Sequence, residues 1–373
     1  MHHVLFENQK HPTNTMRKPY WLALLLGAAV VAASAGYGYY LSRSQSRSQD
    51  LAVLSFLPQD PAAVLYVDLS ALRHSAFLAQ LAAWAPHSQK DSEYAQFLQD
   101  TGFDFERDLN HLAIATQKLA GAANLFFIAD GKFDRSKISA YALRTGTKQN
   151  INGQEVFSVP LDAGKRTLSF AFVSDHLVIL TDSRGLADAL ESLSQKPGQN
   201  DWQERFRRLA GSPAFAVIRQ DAGAALAERA PGGFRSPQLS SLLNQLQWIT
   251  IAAKPDGDQL RIVAEGESAS DATARQLADL LNGVVILAQA GLNDPKLRQQ
   301  LDPAIREAYL ELLKGADISK LDRGDTKAVR LVISVTPKFL QATRTYSPLA
   351  PPQPPAEPEP RKAPAPAPRK SGT

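Results

Sequence analysis

The sequence predicts an α+β protein: two similar-sized halves of antiparallel sheet with packed helices, preceded by one transmembrane helix and followed by a disordered, proline-rich tail. Three observations carry this. Short segments rich in β-branched and aromatic residues follow one another closely, which favours antiparallel pairing because parallel pairing needs crossovers of a dozen or more residues. An uncharged run, Tyr20 to Leu41, stands near the start. The last part of the chain, with Pro348, Pro351, Pro352, Pro354 and Pro355 among its prolines, cannot build a core.

The 373 residues, 44% hydrophobic and 21% charged, suffice for a folded protein with a sizeable core. The net charge of +4 is unevenly placed. Lys10, Arg17, Lys18, Arg43 and Arg47 stand against Glu7 alone in residues 1–49, and Arg344, Arg361, Lys362, Arg369 and Lys370 against Glu357 and Glu359 in residues 341–373. The part between therefore carries more acids than bases. A nucleic-acid partner, which would demand a cationic face on the folded part, is not expected. With no cysteine in the chain, disulfides, thiolate catalysis and Cys-ligated metals are excluded, and the core alone must stabilise an exported domain.

As a helix, Tyr20 to Leu41 would rise roughly 33 Å, about the thickness of the hydrocarbon layer. Tyr20 and Trp21 at one end and Tyr37, Tyr39 and Tyr40 at the other form the two aromatic belts that settle at membrane interfaces. Arg17 and Lys18 tilt the orientation slightly toward a cytoplasmic N-terminus, in a bacterial inner membrane with the remainder periplasmic or extracellular. The competing reading is a signal peptide cleaved after Ala33-Ser34-Ala35. Ala28, Ala32 and Gly36 recur every four residues, a small-residue face through which two such helices could form a homodimer.

Residues 1–19 thus read as a cytoplasmic segment, 20–41 as the membrane helix and 42–50 as a linker. The first half spans 51–200. Ala62 to Leu69 is its opening strand, and Leu72, Phe77, Leu78, Leu81 and Trp84 approximate one helical face behind it. A short helix at 91–99 precedes strands near 112–116, 124–129, 155–159, 167–173 and 176–180, with Asn152-Gly153 and Ser174-Asp175 as turns. A helix over 184–193 and a polar stretch at 195–201 end this half. The second half, 201–340, starts the pattern again with strand 214–219, then strands 248–253 and 259–265 about the turn Pro255-Asp256-Gly257-Asp258. Ser268 opens a capping signature with Asp271, and Ala274, Leu277, Leu281, Val284, Val285 and Ala288 mark one face of a long helix. Helix 303–314 and strand 328–336 follow, and the tail occupies 341–373.

No Gly-x-Ser-x-Gly elbow, His-Glu-x-x-His helix, Walker loop or Gly-x-Gly-x-x-Gly fingerprint occurs, so no catalytic, cofactor-binding or metal-binding residue is assigned. The sharpest cluster is Asp104, Glu106, Asp108 and His111. On a helix, Asp104, Asp108 and His111 would share one side, yet they lack a third firm ligand, and capping or turning into the next strand is the simpler role. Asp68, at a strand end, is expected to cap the following helix and not to act as a general base. Asp256 and Asp258 read as a hairpin turn without the glutamate of a calcium loop. The apolar helix 274–288 reads as core in preference to the wall of a lipid groove.

Leu57-Pro58-Gln59-Asp60 before the first strand, Thr101-Gly102-Phe103-Asp104 with Asp108-Leu109, Gly131-Lys132-Phe133-Asp134, Ser270-Asp271-Ala272 and the terminal strand after a polar turn together carry a resemblance. Over most of residues 57–340 the chain resembles uncharacterised bacterial membrane-anchored exported proteins with an α+β ectodomain of unknown function. The resemblance implies an architecture and no activity. Three functional classes are carried forward: a noncatalytic interaction or scaffold ectodomain on a single-pass anchor; a carrier or sensor of a hydrophobic ligand held between the halves; and, third, a hydrolase assembled from scattered residues. The expected partners are the lipid bilayer through residues 20–41 and an envelope protein or anionic wall polymer through the tail.

Overall fold

Among the described residues, twelve strands pair into one continuous antiparallel sheet in the order β11-β12-β10-β9-β8-β1-β2-β3-β7-β6-β5-β4. They are β1 Ala63–Asp68, β2 Leu109–Leu119, β3 Ala122–Gly131, β4 Thr147–Ile151, β5 Gln154–Leu161, β6 Arg166–Phe172, β7 Leu177–Asp182, β8 Ala214–Arg219, β9 Trp248–Asp256, β10 Gln259–Ser268, β11 Asp317–Arg323 and β12 Thr326–Val335. The α-helices whose bounds fall within the described residues are α1 Leu69–Arg73, α2 Ser92–Thr101, α3 Phe105–Asp108, α4 Arg135–Ala142, α5 Asn200–Leu209, α6 Asp271–Asn293, α7 Pro295–Gln300, α8 Pro303–Lys314 and α9 Pro337–Arg344. This computed structural model describes residues 52–344 apart from 59, 80–91, 120–121, 162–165, 183–185, 187–189, 191–199, 221 and 223–240. The expected membrane helix at 20–41 and the tail beyond residue 344 lie outside the described residues, as does most of the helix expected over 184–193. Among the described residues no helix is long and apolar enough to cross a membrane.

The sheet turns about a central seam. There β1 pairs with β8, Leu65 opposite Ala216. At its two ends the Asp68 amide donates to the Pro213 carbonyl at 2.6 Å, and the Arg219 amide donates to the Ala62 carbonyl at 2.9 Å. Outward on either side lies a hairpin of the same register: Leu119 pairs with Ala122 across the β2–β3 turn, and Asp256 with Gln259 across the β9–β10 turn. Counting from those turns, Ile128 and Asp130 of β3 stand where Glu265 and Glu267 stand in β10. The Gly257 of the second turn has φ +65°, a left-handed geometry that glycine adopts without strain. Asn152 and Gly153, both at positive φ, form the β4–β5 turn that their dipeptide signals.

One face of the first half buries Val64, Tyr66, Ala113, Phe126, Ile128 and Ile179 under Val53, Leu54 and the Trp202 and Phe206 side chains of α5. The opposite face packs Leu112, Phe157, Phe170 and Val178 against Ala142 and Ile138 of α4. In the second half, Ala274 and Leu277 of α6 close over Leu246 and Val329.

Several expectations are corrected. The helical face expected from Leu72 to Trp84 is broken after α1, where the Ser75 hydroxyl accepts from the Leu78 amide and starts a new turn. The α6 cap is Ser270, whose hydroxyl accepts from the Thr273 amide; Ser268 still belongs to β10 and is buried. The tail does not begin at residue 341, because α9 runs to Arg344 and its Phe339 ring packs edge-on against Tyr309 at 5.1 Å. Strands β4 and β11 and helix α5 were not foreseen.

Candidate functional site

The aromatic belt Tyr20, Trp21, Tyr37, Tyr39 and Tyr40 and the small-residue face Ala28, Ala32 and Gly36 lie outside the described residues. Asp68 is the N-cap of α1: its carboxylate accepts from the Ala71 amide at 2.7 Å. Burial pushes its pKa up, and the cap bond and the attraction of His111 and Arg73 offset that only in part.

The sequence cluster Asp104, Glu106, Asp108 and His111 comes apart in the fold. Asp104 caps α3, accepting from the Glu106 amide, and Asp108 accepts from the Asp104 amide and from Arg107. The Arg107 hydrogen bonds, against an opposing effect of burial, leave Asp108 below the usual carboxylate range. Tyr94 donates to Asp104 at 3.3 Å, and burial together with that anion pushes the phenol up to about 12. A register shift between Leu109 and His111 then turns His111 away from these carboxylates. Among the described residues no group of three or more His, Asp and Glu side chains is placed to hold a metal ion.

The fold brings His111 to residues far off in sequence. Its Nδ1 lies 2.8 Å from Asp130 and its Nε2 3.8 Å from Asp68, with Tyr66 stacked beside it at 6.3 Å. His176, in the β6–β7 turn, reaches the same Asp130 at 4.0 Å, and its other ring nitrogen lies 3.3 Å from the Ser174 hydroxyl. That Ser-His-Asp order is not a nucleophilic triad. The histidine side chain is 70% exposed, the carboxylate contact is too long for a hydrogen bond, and serine and histidine belong to one surface turn. What the cluster does is hold the ends of β1, β2 and β3 together. Gly131 closes it: its amide donates to the His176 carbonyl, and a Cβ there would come within 2.6 Å of the Asp108 carbonyl.

At the matching place in the second half the carboxylates meet arginines. Glu267, fully buried, accepts from both Arg205 and Arg208 of α5, while Arg205 lies over the Trp248 ring at 4.1 Å. Glu265 accepts from Arg323 at 2.7 Å and Arg330 at 2.8 Å. Burial would raise the Glu265 pKa, but the two guanidinium bonds and their charges outweigh it and hold the group below the usual range. This array ties α5 and the outer strands to the sheet.

Two apolar features stand out. The stretch of α6 from Leu280 to Asn293 has no charged residue, and Val284, Ile286 and Leu287 are 39%, 64% and 72% exposed. A side chain at Gly283 or Gly291 would meet open space. The face expected as core is buried at Ala274 and Leu277, packs at Leu281 and is half-buried at Val285 and Ala288, where Gln289 donates to the Leu313 carbonyl of α8, while Ile286 and Leu287 project into solvent beside it. The other feature is a slot of about 140 Å³ on the first half, lined by Phe103, Phe105, Leu109, Leu112, Phe127, Ala129, Phe133, Leu168, Val178 and Leu180, without a polar residue. Neither was legible in the sequence, since one depends on where a helix leaves the sheet and the other on five separate segments meeting.

The chain matches no family model and no curated protein sequence. Among solved structures, crystal form IV of TP0453 aligns at 10% identity with a TM-score of 0.44, covering 77% of this chain and 94% of that one. Crystal form III aligns at 12% with a TM-score of 0.43, covering 78% and 97%. No activity is taken from either.

Proposed function

We propose that this chain is a noncatalytic interaction module of a bacterial envelope, held at the inner membrane by residues 20–41 with its α+β part outside the cytoplasm. The observation that carries the reading is the exposed apolar strip on the C-terminal half of α6, Val284, Ile286 and Leu287. Isolated exposed apolar residues are ordinary, but an uncharged helical stretch with Ile286 and Leu287 both mostly in solvent is the kind of surface a partner covers. The proline-rich tail serves as an extended arm, its Arg361, Lys362, Arg369 and Lys370 toward anionic wall polymers.

A photocrosslinking side chain at Leu287 in intact membranes should give a discrete adduct, whereas one at exposed Gln276 on the same helix should not. Equal labelling at both positions, or none at Leu287, would remove the basis of the reading. For topology, the chain has no cysteine, so one introduced at Ser347 should react with an impermeant reagent from outside the inner membrane. Recovery of a mature N-terminus at Gly36 would replace the anchor with a cleaved signal.

A further inference from the structure

We propose that the apolar slot behind Phe133 binds the alkyl end of an anionic amphiphile, a medium-chain carboxylate, with its head at Lys132. This rests on the slot alone, so its failure would leave the reading of α6 untouched.

The lining decides what can enter. All ten side chains are apolar, so a polar group inside would lose its water and gain no partner. Size decides how much enters: about 140 Å³ is close to the roughly 150 Å³ that accommodates benzene, room for about six carbons, not for a whole lipid tail. The wall is held in place by rings, Phe133 lying 5.1 Å from Phe103 and 6.2 Å from Phe172.

Phe133 also lines an open hollow with Lys132, Asp134, Arg135, Asp175 and His176, so a chain inserted behind this ring leaves its polar end there. The charges of the hollow are mostly committed. Asp134 caps α4 and pairs with Lys137 at 3.3 Å, and Arg135 pairs with Glu155 at 3.3 Å. Lys132 is exposed, and its ammonium has no hydrogen-bond acceptor among the described residues, while its backbone is pinned by a 2.8 Å bond to the Asp108 carbonyl. A carboxylate head supplies that ammonium with an acceptor.

The test is calorimetric titration of the full chain in lipid nanodiscs with octanoate, against empty discs. Saturable one-to-one binding is expected. Ala129→Leu, which fills the slot, should weaken it at least about tenfold. Lys132→Glu should weaken octanoate about fivefold and leave octanol unchanged. If Ala129→Leu lowers the melting temperature sharply, Leu168→Trp at the half-exposed rim replaces it. No saturable heat above empty discs, or binding that survives the slot-filling variant, would overturn the proposal. Equal loss of octanoate and octanol with Lys132→Glu would overturn it as well, since the head would then not be read.

Discussion

At matched positions on two matched hairpins, His111 faces Asp130 on β2–β3 and Trp248 faces Glu267 on β9–β10. Both hairpins put a carboxylate at the same place, and the difference is who answers it. Asp130, partly solvated, is answered by one imidazole at 2.8 Å and a mostly exposed second at 4.0 Å, whereas Glu267 is fully buried between two guanidiniums. One frame thus supports a solvated contact at a strand end and a buried clamp on α5.

The comparison predicts unequal costs. Glu267→Gln should destabilise the fold by about 3–5 kcal/mol in denaturant melts, because it leaves two arginines buried about a neutral amide. Asp130→Asn, partly solvated, should cost only about 1 kcal/mol. Equal losses would erase the distinction between clamp and contact.

Acid should sharpen it. The depressed Glu265 pKa means its stabilisation is present above the ordinary glutamate range and is lost as pH falls through the lower folded value. Glu265→Gln should therefore cost about 1–3 kcal/mol near neutrality and flatten the dependence of melting temperature on pH below about pH 5. A variant as acid-sensitive as the parent would show that Glu265 is not the group responsible.

Asp68 carries the opposite sign. Its pKa is raised in the fold, so protonation favours the native state and the charged form is a burden at neutral pH. Asp68→Asn keeps the cap of α1 and should gain up to about 1 kcal/mol at pH 7, an advantage that disappears as pH falls below the ordinary aspartate range. Loss of stability at pH 7 would mean that attraction to His111 and Arg73 outweighs burial. The smallest effect is expected at α6, where Ile286→Asp with Leu287→Asp should change the melting free energy by less than about 0.5 kcal/mol while abolishing the Leu287-side crosslinks when the probe is moved to Val284. Marked unfolding would show that this half of the helix is packed.

The sequence already displayed what depends on neighbours in the chain. The short apolar, β-rich run at Ala63–Asp68, the Asn152-Gly153 turn and the Asp256–Gln259 turn are local chemistry, and each lies where its residues place it. Edge strands were hidden because β11, Asp-Ile-Ser-Lys-Leu-Asp-Arg, carries charges suited to an uncovered edge and reads as loop. Helix α5 was hidden because two of its arginines, Arg205 and Arg208, which mark a polar surface in sequence, turn inward to Glu267. The His111 site was hidden for a third reason: Asp68, Asp130 and His176 become its neighbours only through strand register.

The seam between β1 and β8 bears on how the sheet comes to exist. The hairpins β2–β3, β4–β5, β5–β6, β6–β7, β9–β10 and β11–β12 each join strands adjacent in the chain, whereas the seam joins residues 63–68 to 214–219. Local pairings form early, and a distant pairing must first close a long loop. A chain delivered N-terminus first therefore presents Val64, Leu65, Tyr66 and Val67 on an unpaired edge until Ala214–Arg219 arrives. In contrast to the charged outer edge β11, this edge has no gatekeepers of its own, and during that interval β1 is the strand most open to mispairing with another chain and most in need of a chaperone.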